Sequence, residues 1–229
     1  MNTSSSDPSV TIPEGVTIGY RSRKLLGGSP ETLLATAERQ ISLTPGRHLL
    51  LARNGRGKTT LLKTIARIIP SLEGEIGCDG TVQFVDEDLR FDNELKPKQI
   101  FAALFKNGQR AFAMEMAERI ELDVNKPYGK LSKGNRQKVG LIVAEARTYG
   151  DGPHILLLDE PFSGLDFAAR EKVDEIWKEN NDHIVRIVCV HPDEPTLKAD
   201  SALLIREGAL EQLEVDGELD WMETKHSLN

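Results

Sequence analysis

Three apolar runs set the pattern of this chain: Leu49-Leu50-Leu51, Ile155-Leu156-Leu157-Leu158, and Ile187-Val188-Cys189-Val190, the last preceded by Ile184-Val185. Each is too short for a helix. Each also lacks the polar alternation of a half-exposed strand. A run that is apolar at every position fits a strand covered on both faces, the usual state of a parallel sheet. Ala202-Leu203-Leu204-Ile205 predicts a fourth such strand, with Leu210 to Leu213 returning beside it across the Glu207-Gly208 turn. Elsewhere apolar positions recur at helical spacing. Leu61, Leu62, Ile65, Ile68 and Ile69 make one stripe, ending before Pro70. Val139, Ile142, Val143 and Ala146 make another, with Ser132 as its N-cap, and Val173, Ile176 and Trp177 a third.

The remaining segments complete the outline. Val10-Thr11-Ile12, Val16-Thr17-Ile18 and Thr81-Val82-Gln83-Phe84-Val85 are strand-like. Glu31 to Ser42 fits a helix through Leu33, Leu34, Ala37 and Ile41, or a strand at its Ile41-Ser42-Leu43 end. Ser71 to Gly80 reads as turns and Asp86 to Lys96 as an acidic loop. Pro97 to Leu122 is helical, with Ile100, Phe101, Leu104 and Phe105 on one face and a break at Gly108. Strands alternating with helices predict an α/β fold with a mainly parallel sheet, an N-terminal antiparallel β part and a small inserted helical subdomain near residues 90–140. Residues 10–229 are expected to form a single domain, residues 1–9 a disordered tail, and the acidic C-terminus a loose helix or tail.

Charge and cysteine content narrow the function classes. There are 29 Lys and Arg against 36 Asp and Glu, a net charge of −7, with no basic block. That argues against a dedicated nucleic-acid binder. Cys78 and Cys189 lie in apolar surroundings without metal or redox spacing, as core or near-core thiols of a reducing compartment would. No apolar run approaches the ~20 residues that span a bilayer, and the start of the chain lacks the pattern of a signal peptide. A cytoplasmic protein is expected, one that reaches a membrane only through a partner.

The polar residues that follow the apolar runs carry the chemistry. Arg53-Asn54-Gly55-Arg56-Gly57-Lys58-Thr59-Thr60 lies between the first run and a helix. A glycine-rich turn there converges backbone N–H groups at the positive end of a helix dipole, which is a cradle for phosphate. Lys58 would reach the β- and γ-phosphates and Thr59 would ligate Mg²⁺. The strict pattern begins with glycine, whereas Ala52 stands here. Asp159 and Glu160 end the second run, at the strand edge where open parallel sheets bind ligands. Asp159 is placed to bind Mg²⁺ and Glu160 to deprotonate or orient a water. His191 ends the third run on the same edge, where it could hydrogen-bond a γ-phosphate oxygen or the attacking water.

Leu131-Ser132-Lys133-Gly134-Asn135-Arg136-Gln137 matches the pattern Leu-Ser-x-Gly-x-x-Gln. With it, the order of motifs resembles the ATP-binding subunit of the ABC transporter family, from about Val16 to Leu213. The resemblance implies a P-loop NTPase core that binds and hydrolyses ATP with Mg²⁺. It implies that Leu131, Ser132, Lys133, Gly134 and Gln137 cap the nucleotide of a second copy in a head-to-tail dimer. Tyr20 matches the aromatic residue that stacks on adenine, and His191 the switch histidine. Ser163-Gly164-Leu165-Asp166 matches the loop that crosses the interface, with Ser163 and Asp166 as its polar members. The family places a Gln after the strand Phe84-Val85, near Mg²⁺. Asp86-Glu87-Asp88 stands there instead, with Glu87 as the nearest equivalent. The implied function is an ATPase subunit that powers a separate membrane-spanning permease. The segment from Gly74 to Phe101 resembles ATPases of exporters. A soluble ABC ATPase not tied to transport, or a nucleotide-gated module with weak hydrolysis, are the alternatives.

Overall fold

The apolar runs are the central strands of a sheet buried on both faces. The computed structural model describes residues 7–21, 31–86, 88–150, 152–180, 183–190 and 196–220. In chain order these form β1 (Ser9–Ile12), β2 (Thr17–Arg21), β3 (Glu31–Ala37), β4 (Ile41–Leu43), β5 (Gly46–Ala52), α1 (Lys58–Ile65), β6 (Gly77–Asp79), β7 (Thr81–Val85), α2 (Pro97–Leu104), α3 (Asn107–Arg119), α4 (Lys133–Thr148), β8 (His154–Asp159), α5 (Phe167–Glu179), β9 (Ile184–Cys189), β10 (Thr196–Arg206) and β11 (Ala209–Asp220). An eight-stranded sheet has the order β2-β3-β11-β10-β5-β9-β8-β7, and a three-stranded antiparallel sheet the order β4-β1-β6. Strands β10, β5, β9, β8 and β7 run parallel. This is the expected α/β class, with its antiparallel N-terminal part.

Successive strand residues point to opposite faces, so one apolar run supplies two cores. Leu49, Leu51, Leu156, Leu158 and Val188 pack on the side of α2 to α5. Leu50, Ala52, Ile155, Leu157, Ile187 and Cys189 pack on the other, with α1 and the antiparallel sheet. Each fully buried Leu or Ile contributes about 1.5–3 kcal/mol.

Several elements differ from the sequence expectation. Residues 31–37 are strand: β3 pairs antiparallel with β2 and parallel with β11. The turn-rich stretch contains β6, which completes the small sheet by pairing with β1. Ser9, read as tail, opens β1 and donates to Asp79 Oδ2 at 3.2 Å. The acidic C-terminal segment is strand as far as Asp220. Helix α1 stops at Ile65, because Arg67 takes a left-handed φ of 57°. The helical break falls at Phe105-Lys106, and Gly108 lies inside α3.

A buried His on β5 makes stability depend on pH. His48 Nε2 donates to Thr44 O and its Nδ1 meets Ser201 Oγ, both at 2.8 Å. Burial lowers its pKa, since a charged imidazole loses its water. The unfolded chain therefore takes up this proton first, near the ordinary value of about 6.5. The stability that depends on a neutral His48 is complete above that pH and declines as pH falls below it. His154 shifts in the same direction by burial. Thermal midpoints are expected to drop between pH 7.5 and 5.5, and to drop less in His48→Gln. Equal drops in the two proteins would remove His48 from the account.

Candidate nucleotide site

All five parallel strands end on one edge, and the polar residues collect there. At this edge β5 gives way to residues 53–57 and then α1. Gly55 and Gly57 have φ of 76° and 107°, left-handed values that glycine adopts without strain. Ala52 is the last residue of β5, is paired with Ile205, and is absent from the positive-φ residues. The methyl group is therefore tolerated where the strict pattern has glycine. Arg53, Asn54, Gly55 and Arg56 are exposed. No side chain caps α1, so the N–H groups of its first turn remain available to an anion.

The side chains of the loop are already oriented. Lys58 is buried, and its Nζ donates to Ala52 O at 3.1 Å and Asn54 Oδ1 at 3.4 Å. Thr59 Oγ1 donates to Asp159 Oδ2 at 2.7 Å, joining residues a hundred positions apart. Tyr20, half exposed at the end of β2, shares a hydrogen bond between its hydroxyl and that of Thr60. A hydroxyl and a carboxylate side by side are hard oxygen donors. They suit a small divalent cation that takes one or two protein oxygens and leaves its other positions to phosphate and water. Among the described residues no three His, Cys, Asp or Glu side chains gather as a cation cage.

Glu160 follows directly and has a φ of 48°, rare for a non-glycine residue. Its N–H donates to Cys189 O at 3.1 Å. Its carbonyl accepts from Ser163 N–H at 3.1 Å and from Gln137 Nε2 at 3.3 Å. Cys189 pairs with Asp159 across β8 and β9. Burial, and then the charge of Asp159, push its thiol well above the usual range, so it is neutral. His191 and Glu87 lie outside the described residues. Asp86, next to Glu87, has its carboxylate 3.8 Å from Lys63 Nζ on α1.

The start of α4 divides its residues between two directions. Ser132 and Lys133 are exposed, and Ser132 Oγ accepts from Asn135 N–H at 3.3 Å as the predicted N-cap. Leu131 is 4% exposed and belongs to the core. Gln137 faces Glu160 of its own chain. These two side chains therefore do not share the exposure of Ser132. A Cβ on Gly134 would lie 2.1 Å from Gly164 O, so only glycine lets this helix touch the 160–164 turn. Asp166 N-caps α5, accepting from Ala169 N–H at 2.8 Å.

Sequence reasoning missed one buried site. Arg186 on β9 is wholly buried with Glu145 on α4, its Nε and Nη2 reaching the two carboxylate oxygens at 3.1 and 2.9 Å. A charge inside an apolar strand and an acid on an apolar helix face were the available signals.

The ABC transporter family model matches residues 39–163, more than half of the chain and spanning phosphate loop, signature and Asp159-Glu160. The chain belongs to the ABC transporter family. Among relatives of this ABC subunit is the aliphatic sulfonates import ATP-binding protein of Pseudomonas fluorescens, 31% identical over 76% of this chain and 69% of the relative. The taurine import ATP-binding protein of Escherichia coli is 31% identical over 70% of this chain and 68% of the relative. The nitrate transport protein of Klebsiella oxytoca is 33% identical over 69% and 68%. In fold, the subunit is similar to a dimeric ATP-binding cassette bound to ADP and phosphate, with a TM-score of 0.67 at 18% identity, over 92% of this chain and 99% of the other. The ABC subunit binds ATP and is an ATPase coupled to transport. Among its described residues no helix is long and apolar enough to cross a membrane.

Proposed function

We propose that this chain is the ATP-hydrolysing subunit of an import system, acting at the cytoplasmic face of the membrane through a separate membrane-spanning permease. The relatives named for import support that direction, and nothing in them supports the leaning toward export. The observation that carries the reading is the 2.7 Å contact of Thr59 with Asp159. It joins the phosphate loop to the edge of β8, where a nucleotide and a cation are needed together.

In this reading the amides of residues 54–58 hold the phosphates, together with Lys58, and Tyr20 lies beside the adenine. Thr59 and Asp159 hold Mg²⁺, which would neutralise charge on the phosphates when bound. Glu87 is an additional candidate. Glu160 accepts the proton of the attacking water, and His191 hydrogen-bonds the γ-phosphate. Exposed Ser132 and Lys133, with Gly134, cap the nucleotide of a second copy, and Ser163 and Asp166 line the interface. Helices α2 and α3 form the helical subdomain, which together with the 86–96 loop engages the permease. Tighter ATP binding by the closed dimer drives closure, and hydrolysis reopens it.

Asp159→Asn tests the metal assignment without relying on turnover. Fluorescent ATP is expected to bind this variant as it binds the wild type when divalent cation is absent. The wild type is expected to gain affinity on addition of Mg²⁺, and the variant to gain about tenfold less, as loss of a charged ligand implies. An equal gain in both proteins would sink the assignment. Affinity purification from membranes tests the partner: an integral membrane protein is expected to accompany the chain, and its absence would count against transport.

A further inference from the structure

We infer that Gln137 is a positioning residue for Glu160 of its own chain. The inference rests on the proposed role of Glu160 as the group that accepts a proton from water. Glu160 is held at a φ of 48°. Such backbone persists only where the surroundings over-determine it. Its N–H is tied to Cys189 O on β9 at 3.1 Å, and its carbonyl accepts from Ser163 N–H at 3.1 Å within the turn itself. Gln137 Nε2 adds a side-chain donor to the same carbonyl at 3.3 Å. A carbonyl only accepts, so the amide nitrogen must face it. Gln137 is itself fixed. It lies in the first turns of α4, and the same helix start touches the turn at Gly134, where a Cβ would fall 2.1 Å from Gly164 O.

The geometry has a consequence for two-copy catalysis. The helix that presents Ser132 to the nucleotide of the partner also grips the Glu160 turn of its own site. A displacement of α4 by the partner's nucleotide is passed directly to the turn that carries the carboxylate taking the proton of the attacking water in its own chain. Gln137 therefore acts in cis, between the two sites, and does not touch nucleotide.

Steady-state ATP turnover and nucleotide binding by Gln137→Met, Gln137→Lys and Glu160→Gln, with the Gln137→Met/Glu160→Gln double variant, test this. Gln137→Met has similar length and no donor. It is expected to lower kcat on the order of tenfold, a small misplacement of a reacting group, with KM and ATP affinity within about twofold of wild type. Gln137→Lys restores an N–H donor and is expected to keep most of kcat. Combined with Glu160→Gln, Gln137→Met is expected to add no further loss, because the carboxylate it positions is gone. An unchanged kcat in Gln137→Met, or a loss shared equally by kcat and ATP affinity, would overturn the positioning role. Additive losses in the double variant would overturn it too. A Glu160→Gln protein that turns over like the wild type would instead overturn the role of Glu160 itself. If Gln137→Met does not fold, the comparison of Gln137→Lys with Gln137→Glu, which also lacks a donor, carries the same test.

Discussion

Glu160→Gln is expected to lower ATP turnover by about 10²–10⁴-fold while leaving ATP binding intact. Glu160 follows Asp159 directly, at the strand edge where Thr59 and Lys58 gather. Gln occupies nearly the same volume and keeps the main-chain bonds to Cys189 and Ser163, so the turn is retained. What is lost is a group able to take a proton from water. In the proposed reading nucleotide affinity rests on the loop amides, Lys58 and the cation, and none of these is altered. The variant should therefore hold ATP without consuming it. Size-exclusion chromatography with ATP and Mg²⁺ is expected to show a species of twice the subunit mass for the variant, and a smaller share of it for wild type, which hydrolyses its ligand. Turnover equal to wild type would remove Glu160 from catalysis. A parallel loss of ATP affinity would point to a disturbed loop instead.

Glu145→Ala is expected to destabilise the fold by about 3–5 kcal/mol, because it strands a buried charge. Glu145 and Arg186 are 1% and 0% exposed. The guanidinium is held from two sides of Nη2: the Glu145 carboxylate takes Nε and Nη2, and Asn180 O also accepts from Nη2, at 2.9 Å. The arginine also lies 5.5 Å from the Trp177 ring centroid, with Arg47 at 4.6 Å from the same ring. Removing the acid leaves two cations near one indole in a buried site, where charges are screened less than at the surface. Arg47 has its own partner, Asp174 at 2.6 Å. Denaturant midpoints measure the effect. The double variant Glu145→Leu/Arg186→Met, which removes both charges, is expected to recover most of the loss. A loss below about 1 kcal/mol in Glu145→Ala would mean that the pair is hydrated and behaves as a surface pair.

Much of the site was legible because its parts are local. A buried strand, a glycine turn and a helix start within one short stretch, so the loop holding Lys58 and Thr59 could be read from residues 49–65. Asp159-Glu160 was legible for the same reason, as polar residues directly after a run with no exposed face. Ser132 as an N-cap was a local pattern as well. Residues 31–37 were not legible. Their apolar positions satisfy both periods, and the choice of strand depends on β2 on one side and β11 on the other.

The sequence by itself determined which segments are buried on both faces and which polar residues and glycine turns follow them at the strand ends, since periodicity and turn geometry depend on near neighbours in the chain. Only the tertiary structure decided which of these meet. Thr59 reaches Asp159 across a hundred residues. Arg186 finds Glu145 across 41. Gln137 turns inward to Glu160 while Ser132, five positions earlier, stays outward. Strand pairing and helix docking set these distances, and both arise from burying surfaces that lie far apart along the chain.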